Sequence, residues 1–585
     1  MNDSRDFSWL DPVRTGLTGG TIAILVALVG MVGKFSERPI IEDVISLGQL
    51  LFLGITFLVA YNAVQHAVQT MPTQRSTWII SGVIAGTLSA LMLALLVIIG
   101  GQVNLRSIFI NASPQLYRVL TFEQPTASGI PLLLAMGAAL GALAGLSFFL
   151  PPLIKRAVIW GVSMVLLLGM LGDQLLLILS NNDADDVLKG WLLASKGLTV
   201  SGTLITFLVA AGLNLLWNAQ EKSVRQALDR RPAEQKRWLR WGLWLLLALL
   251  VIQLPAILGP YHSEVLNQVG IFLLLGLGLN IVVGFAGMLD LGYVAFYAIG
   301  AYTVGVLTSA ERIGTFNFWA ALPIAIILAV AAGVMLGIPV LRMRGDYLAI
   351  VTLGFGEIIQ RLVLSDWLRP WLGGAQGVAA IPPIVIPFIN LTKPDTPLFY
   401  LLSVSGPNKP QRLFYFILVA CLLAAFIASR LKDSRLGRAW MAIREDEDVA
   451  EAMGIHLVST KLMAFAVGAG LSGLSGVLFG AKIGSIYPNS FGLLISINIL
   501  ALIIVGGMGS IPGVLVGALA LVGLPELLRE FAEFRLLVYG AVLVFMMLNR
   551  PEGLIPDEAH KRELHDPMPD TLPDGEPEVV PIIST

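Results

Sequence analysis

The amino-acid sequence predicts an all-α fold, a polytopic transmembrane bundle of about sixteen helices, some of them broken at glycines. First, 56% of its 585 residues are hydrophobic and only 13% are charged, whereas a soluble domain carries about a quarter charged residues. Second, the apolar residues fall into runs of about twenty, the length that crosses a bilayer. Third, the 60 glycines suit close packing of membrane helices and permit breaks in them.

The predicted spans form two groups, separated by a basic segment. The first group contains six runs, near 17–33, 44–67, 77–101, 129–152, 157–179 and 197–217. Residues 1–217 are therefore expected to form an N-terminal extension of about six transmembrane helices, whose role is unknown. Between 218 and 240, seven basic residues outnumber three acidic ones, which predicts a cytoplasmic basic linker because positively charged loops stay inside.

The second group of spans extends from 241 to 556. Its runs lie near 241–259, 265–285, 290–310, 318–341, 347–364, 413–430, 460–482, 490–508, 513–529 and 535–549. Six crossings separate the linker from a second basic segment at 430–461, so both are expected in the cytoplasm, as are the N- and C-termini. The long connector 366–412 is then outside, where it could dock a partner or simply join two helices. The acidic, Pro-rich tail 557–585 is expected to be disordered.

One segment, 431–459, is too polar to enter lipid but is patterned for helix. Its apolar residues recur at three- and four-residue spacing and predict one narrow stripe: Ala439, Ala442, Ile443, Val449, Ala450 and Met453. Asp448 and Glu451 resemble a capping box, and Gly454 offers a left-handed stop. Such a helix could fill a groove in a soluble partner or lie on the bilayer. The acidic run 445–448 disfavours the bilayer, because anionic leaflets repel it.

Residues 444–454, Arg-Glu-Asp-Glu-Asp-Val-Ala-Glu-Ala-Met-Gly, resemble the coupling loop of permeases from ATP-binding cassette (ABC) importers, in its branched-chain amino acid variant. Further segments are similar to the LivM-type permease family: 280–302, 344–357, 373–377, 504–510 and 549–554. Together these segments extend over about 260–556, whereas residues 1–230 contain no motif that we recognise.

The resemblance implies a permease subunit, with a permease domain at 241–556 and a coupling loop at 431–459, in the inner membrane of a bacterial cell. It would move branched-chain or related amino acids. Its coupling residues would be Arg444, Glu445, Asp448, Glu451, Ala452 and Gly454. The expected partners are a second, LivH-type permease, two ATPase subunits, an extracytoplasmic amino-acid-binding protein and membrane lipid.

No cofactor is expected in this chain, because it has no Gly-x-x-x-x-Gly-Lys-Ser/Thr loop to cradle a triphosphate; ATP and Mg²⁺ would be bound by the ATPase subunits. No catalytic or metal site is expected either, since the five histidines form no metal-binding constellation. The net charge of the chain is −1. Because proteins that bind nucleic acids usually carry a basic surface, no nucleic-acid partner is expected.

A translocation path is predicted where glycines interrupt the spans. Gly284, Gly287 and Gly292 surround Asp290, and a helix broken there is tolerable only where it faces protein or a water-filled cavity. The residues expected along the path are Asn280, Gly284, Gly287, Asp290, Gly292, Tyr347, Thr352, Glu357, Gly373, Gly374 and Gly377. Alternatively, the glycines only pack helices, and Glu357 forms a plain helical ion pair with Arg361.

Three other functions are weighed against this one. An ion-coupled secondary transporter would also use many spans and broken helices, and transport that persisted without ATP would favour it. A urea or short-amide permease of the same family is not separated by the sequence. A membrane-embedded enzyme is disfavoured by the lack of a catalytic constellation.

Overall fold

The computed structural model describes residues 8–181, 190–194, 197–229, 233–340, 346–384, 410–527, 534–550 and 552–556. This part of the chain is almost entirely helical, which confirms the predicted all-α fold. The chain divides into two compact units, Met1–Ala248 and Leu249–Thr585. Two predicted features lie outside the described residues: most of the long connector (385–409) and the tail 557–585.

The first unit contains nine helices in its described part, up to the start of α10. They are α1 (Leu10–Val29), α2 (Met31–Phe35), α3 (Leu47–Thr70), α4 (Arg75–Gln102), α5 (Pro114–Leu120), α6 (Thr126–Leu146), α7 (Pro152–Met170), α8 (Gly172–Asn181) and α9 (Val200–Asp229). A short antiparallel pair, β1 (Pro39–Ile41) and β2 (Ile45–Ser46), lies between α2 and α3.

Glycines bring α4 and α6 of this unit into backbone contact. A Cβ atom on Gly82 would overlap the carbonyl oxygen of Gly141, and one on Gly86 would overlap that of Gly137. Small residues at such crossings let two helices approach closely without a side chain between them. The high glycine content therefore acts here through helix packing.

The next helix, α10 (Ala233–Leu279), begins in the predicted linker, and the boundary between the two units falls within it. Gly259 interrupts it with a φ of 79° between Pro255 and Pro260. The remaining α-helices of the second unit are α11 (Val294–Thr308), α12 (Phe318–Val340), α13 (Asp346–Leu364), α14 (Arg369–Leu372), α15 (Pro410–Lys432), α16 (Arg435–Glu445), α17 (Glu447–Ala452), α18 (Leu457–Ile483), α19 (Leu493–Gly506), α20 (Ile511–Ala518), α21 (Leu524–Leu527) and α22 (Arg535–Asn549).

Twelve helices within the described residues are long and apolar enough to cross a membrane. One of them, Arg240–Phe285, has 46 residues, far more than the roughly twenty that one crossing needs, and it contains the break at Gly259. Two shorter apolar helices, Val294–Thr308 and Ile511–Glu526, add to the bundle. The multi-pass helical bundle is thus present, while the number of about sixteen spans stays a prediction.

The core of the second unit forms where α18 packs against α11 and α12. A Cβ atom on Gly300 of α11 would overlap the carbonyl oxygen of Gly473 on α18, and one on Gly476 would overlap that of Tyr297. The side chains of Tyr293 and Tyr297 are fully buried beside this crossing. Close packing therefore holds α11 in place, and α11 connects the two glycine clusters described below.

Candidate functional site

The predicted broken helix is present between α10 and α11. After Leu279 the chain widens into a π-helical turn, Asn280–Phe285, and is irregular until α11 begins at Val294. Gly287 has a φ of +69°, a left-handed conformation that glycine adopts at little cost. We call this interruption the first break.

The first break contacts α13 through backbone. A Cβ atom on Gly292 would overlap the carbonyl oxygen of Thr352. The hydroxyl oxygen of Thr352 accepts a hydrogen bond from the N–H of Leu291 at 3.0 Å and donates one to the carbonyl of Ala349 at 3.1 Å. Thr352 therefore contacts the same break as the glycines, while its place on a translocation path stays a prediction.

Asp290 is the one predicted carboxylate that is fully buried within this break. Its Oδ1 accepts a hydrogen bond from the N–H of Gly292 at 2.9 Å, and its Oδ2 has no hydrogen-bond partner among the described residues. It lies between the apolar segments Arg240–Phe285 and Val294–Thr308, outside both. Burial raises the pKa of this carboxyl group to about 7, and the N–H of Gly292 opposes that rise.

A second break separates α19 from α20. Gly507 and Gly509 have φ values of 120° and 78°, and the hydroxyl of Ser510 accepts a hydrogen bond from the N–H of Gly513 at 3.1 Å, which caps α20. The side-chain oxygen of Asn280 accepts a hydrogen bond from the N–H of Gly509 at 2.8 Å. The two breaks therefore meet directly, and together they form what we call the polar junction.

Two motifs that are separate in the sequence, 504–510 and 549–554, pack together beside the junction. The N–H of Leu554 donates to the carbonyl of Val505 at 2.9 Å, and that of Ile555 donates to Gly506 at 3.0 Å. Gly553 has a φ of 89°, and a Cβ atom on it would overlap the Cα of Gly507. Glycines in both motifs are thus explained by one close backbone contact.

The polar segment 431–459 forms two helices instead of one. α16 ends at Glu445, and Asp446 is the N-cap of α17, since its Oδ1 accepts hydrogen bonds from the N–H groups of Asp448 at 2.8 Å and Val449 at 3.1 Å. The predicted capping box that starts at Asp448 is therefore wrong, because a cap must precede the first turn whose donors it satisfies.

The predicted left-handed stop at Gly454 is confirmed. Gly454 has a φ of 86°, and its N–H donates to the carbonyl of Glu451 at 2.9 Å. The N–H of Ile455 donates to Ala450 at 3.1 Å, a pattern that closes a helix when a glycine adopts the left-handed conformation.

The single apolar stripe predicted for this segment is wrong. Ile443 and Ala450 are buried, but Val449 is 58% exposed and Met453 is 80% exposed. Because α17 starts anew at Asp446, the helical phase is not continuous with α16. Five of the predicted coupling residues, in α17 or next to it, are exposed as well: Glu445, Asp448, Glu451, Ala452 and Gly454.

Three contacts fix the two helices to the rest of the second unit. The indole N–H of Trp440 donates to the carbonyl of Thr460 at 2.8 Å, and the Lys461 ammonium pairs with Glu447 at 2.6 Å. The guanidinium of Arg444 donates to the carbonyl of Gly284 at 2.9 Å. Arg444 thus differs from the exposed coupling residues, because it reaches the polar junction.

Lys432, at the end of α15, was not predicted as a site residue. Its ammonium donates to the carbonyl of Gly509 at 3.2 Å. The only signal in the sequence was the basic character of residues 430–461, which predicted the side of the membrane and not a contact.

Some predicted path residues lie elsewhere. Gly373, Gly374 and Gly377 have φ values of 83°, 60° and 69° and form a loop beyond the other end of α11, where the Ser309 hydroxyl donates to the carbonyl of Ala379 at 2.6 Å. A helix of 15 residues is about 22 Å long. The structure therefore separates this loop from the polar junction by the length of α11.

Two further path residues lie on α13, away from the junction contacts. Tyr347 is 74% exposed and Glu357 is half-buried. Among the described side chains, Glu357 and Arg361 form no ion pair, so the alternative explanation for Glu357 is not supported.

An apolar cavity of about 360 Å³ lies beside α11, α12 and α13. It is lined mainly by aliphatic side chains, with Tyr302 and Thr303 of α11 among the few polar ones. Such a cavity can hold an aliphatic group but has no charged side chain to balance an ammonium or a carboxylate. No group of three or more possible metal ligands occurs in the described part of the chain.

Comparison with known proteins identifies similar sequences. The family model described as branched-chain amino acid transport system, permease component, matches residues 261–547. The permease protein LivM of Escherichia coli K12 is 36% identical over 406 residues, which cover 68% of this chain and 92% of that protein. The LivM of Salmonella typhimurium LT2 is 39% identical over 344 residues, which cover 57% of this chain and 78% of that protein.

The similarity is not confined to the LivM proteins or to the second unit. The LivH permease of Escherichia coli K12 is 26% identical over 306 residues, covering 48% of this chain and 91% of that protein. A match to 68% of the chain is longer than the second unit, Leu249–Thr585, so it also includes residues of the first unit. No solved structure matches the chain.

Proposed function

The chain belongs to the family of branched-chain amino acid transport permeases, and we propose that it forms part of the transmembrane path of an ABC importer for these amino acids. The importer would lie in the inner membrane of a bacterial cell, with both termini of the chain in the cytoplasm. The observation that carries the proposal is the short helix α17, which is held to α18 by the ion pair of Glu447 with Lys461 on one side and is exposed on the other.

The exposed surface of α17 has the chemistry of a docking element. Val449 and Met453 stand four residues apart and are 58% and 80% exposed, so they share one helix face. Asp448 and Glu451 are exposed beside them. An apolar pair of this kind fills a hydrophobic groove on a partner while the neighbouring charges fix its register. The proposed partner is an ATPase subunit, which would bind ATP and Mg²⁺.

The importer would need two such ATPases, a second permease and an extracytoplasmic binding protein. A LivH-type protein suits the place of the second permease, because the LivH permease of Escherichia coli is itself 26% identical to this chain. Movement of α17 with the ATPases would reorient the helices and open the path to each side in turn.

The path itself is proposed to run along α11. Its ends lie at the polar junction and at the loop of Gly373, Gly374 and Gly377. Backbone carbonyls and N–H groups freed by broken helices can hold the ammonium and carboxylate of an amino acid. The apolar cavity between these ends suits an aliphatic side chain.

Uptake measurements test the function. Cells that lack the chain should fail to take up labelled leucine, and restoring the chain should restore leucine uptake without restoring uptake of urea or glutamate. Leucine uptake should stop when ATP is depleted and should persist when the ion gradients are collapsed. The opposite pair of results would indicate an ion-coupled transporter, and restored urea uptake would indicate an amide permease.

Two variants test the coupling role of α17. Glu451→Lys reverses a charge on the docking face, and Gly454→Pro demands a φ near −65° where the chain has 86°. Both should remain in the membrane and lose uptake while the ATPases still hydrolyse ATP. Glu311→Lys is the matched control, since Glu311 is also exposed but lies outside this segment. Normal uptake in both α17 variants would remove the coupling role.

A further inference from the structure

Arg444 is bonded to the first break of the polar junction and lies beside the second. Its Nη1 donates to the carbonyl of Gly284 in the first break at 2.9 Å, and it lies 3.8 Å from the position a Cβ atom would take on Gly509 in the second. The side chain reaches this position by passing Gly287, where a Cβ atom would lie 2.8 Å from the Arg444 Cγ. A glycine is therefore needed at 287 for Arg444 to reach the junction.

Lys432 also contacts both breaks, from a different helix. Its ammonium donates to the carbonyl of Gly509 at 3.2 Å and lies 5.8 Å from the ring centroid of Phe285, within the range of a cation–π interaction. Phe285 ends the π-helical turn of the first break. Lys432 thus contacts both breaks, and Arg444 is bonded to the first and lies beside the second.

The helix α16 lies between these two cations along the chain. It begins at Arg435, three residues after Lys432, and ends at Glu445, one residue after Arg444. Arg444, in the last turn of α16, and Lys432, at the end of the preceding helix α15, are therefore both bonded to the same junction. Asn280, whose side chain joins the two breaks directly, makes the junction one connected unit.

We propose that Arg444 and Lys432 are positioning residues that transmit movement of α16 and α17 to both helix breaks at once. Because Arg444 lies in the last turn of α16 and Lys432 lies three residues before its first residue, a displacement of α16 acts on both contacts, whereas a segment bonded to one break alone could pivot without moving the other. The exposed side of α17 receives the movement, and the two backbone carbonyls at Gly284 and Gly509 pass it into the spans. This proposal rests on the function proposed above.

The test compares uptake with ATP hydrolysis in proteoliposomes that contain the assembled importer. In Arg444→Gln and in Lys432→Gln, labelled leucine taken up per ATP hydrolysed should fall about tenfold, as expected when a charge-assisted hydrogen bond is lost. ATP hydrolysis should stay within about twofold of the unmodified importer, because neither residue lies on the docking face. The double variant should be little worse than either single one, since both residues act through one junction.

Arg438→Gln is the matched control. Arg438 is also on α16, but its guanidinium donates to the carbonyl of Asp433, between α15 and α16, at 3.0 Å. The importer with Arg438→Gln should therefore take up as much leucine per ATP hydrolysed as the unmodified importer. Arg444→Lys keeps the charge and should recover part of the ratio, although a single ammonium does not reproduce the guanidinium fork.

Three results would overturn the proposal. The ratio of leucine taken up to ATP hydrolysed could be unchanged in Arg444→Gln and Lys432→Gln, or it could fall equally in Arg438→Gln. In the third case, uptake and hydrolysis would fall in the same proportion, as loss of folding would cause. If the Gln variants do not assemble, an unchanged ratio in Arg444→Lys together with a normal ratio in Lys432→Met would also overturn it. Failure of the proposed function is distinguishable, because the unmodified importer would then show no ATP-dependent leucine uptake at all.

Discussion

Asn280 and Gly509, which are 229 residues apart, are joined by a hydrogen bond of 2.8 Å from the Gly509 N–H to the Asn280 side-chain oxygen. Both residues are buried. Replacing Asn280 by Ala would leave that N–H without a partner, which costs about 1 to 3 kcal/mol. Thermal unfolding of the purified chain in detergent should show this loss of stability.

Asn317→Ala is the control for this prediction. Asn317 also accepts a hydrogen bond from a backbone N–H, that of Ala320 at 2.8 Å, but it is exposed. Water can replace that bond, so the loss should be about 1 kcal/mol or less. Equal stability of Asn280→Ala and the unmodified chain would mean that the two breaks are not joined in this way.

The contact between the first break and α13 predicts a large difference between two glycine substitutions. In Gly292→Ala the new methyl group would overlap the Thr352 carbonyl oxygen, and because backbone cannot move aside easily, we expect a loss of about 3 kcal/mol together with loss of uptake. Gly354→Ala, on the same helix as Thr352, meets no atom within 4 Å and should be neutral or stabilising by up to about 1 kcal/mol. Thermal unfolding measures both; similar melting temperatures would contradict the contact.

The ion pair that holds α17 predicts a difference between neighbouring glutamates. Lys461 has a side-chain exposure of only 5%, and Glu447, its partner at 2.6 Å, one of 25%. Glu447→Gln removes the charge that balances a buried ammonium and should cost about 2 kcal/mol. Glu445→Gln, at an exposed position, should cost less than about 0.5 kcal/mol. Hydrogen exchange over residues 447–461 should quicken in the first variant alone, and equal exchange in both would be inconsistent with the ion pair.

The buried carboxyl group of Asp290 predicts a pH dependence of stability. Its pKa is raised by burial from an ordinary 3.8 to about 7 in the folded chain, so the folded state binds the proton more tightly than the unfolded state. The stabilisation is therefore complete below about pH 4 and is lost as pH rises to about 7. As pH rises from about 4 to about 7, the unmodified chain should therefore lose stability relative to Asp290→Asn. Above about pH 7 the difference in stability between the two chains should be constant. Thermal unfolding at several pH values measures the difference, and a curve parallel to that of Asp290→Asn would show that the group does not titrate there.

The sequence predicted those features that depend on local pattern. Gly454 could be predicted as a helix stop, and Gly284 and Gly292 as the site of a broken helix. Both features depend on the local backbone conformations and close packing that a glycine allows. Thr352 was expected along the same path as these glycines, and its hydroxyl is bonded to the first break, but its role in transport stays a prediction.

The sequence did not predict contacts between distant residues. The bonds of Gly509 to Asn280 and to Lys432 join positions 229 and 77 residues apart, and no periodicity encodes such a pairing. The stripe through Val449 and Met453 was wrong for a different reason, since a single capping residue, Asp446, resets the helical phase. The prediction of which side chains share a helix face therefore failed because a new helix starts at Asp446, and not because the composition of the segment was misread.

The membrane side of α17 is the central claim, and cysteine labelling tests it most directly. Cys421 is the single cysteine of the chain. It is buried, and its thiol donates a hydrogen bond to the carbonyl of Gly270 at 3.3 Å. Cys421→Ser should therefore give a chain without thiols in which the serine hydroxyl replaces the thiol as hydrogen-bond donor. Cysteines are then placed at Met453 and at Trp367, each 80% exposed, on segments expected on opposite sides of the membrane.

A maleimide that cannot cross the membrane is applied to intact spheroplasts and to inside-out vesicles. Met453→Cys should react only in the inside-out vesicles, and Trp367→Cys only in the spheroplasts. If Met453→Cys reacted in the spheroplasts and not in the vesicles, α17 would lie outside the cell, where no ATPase could move it.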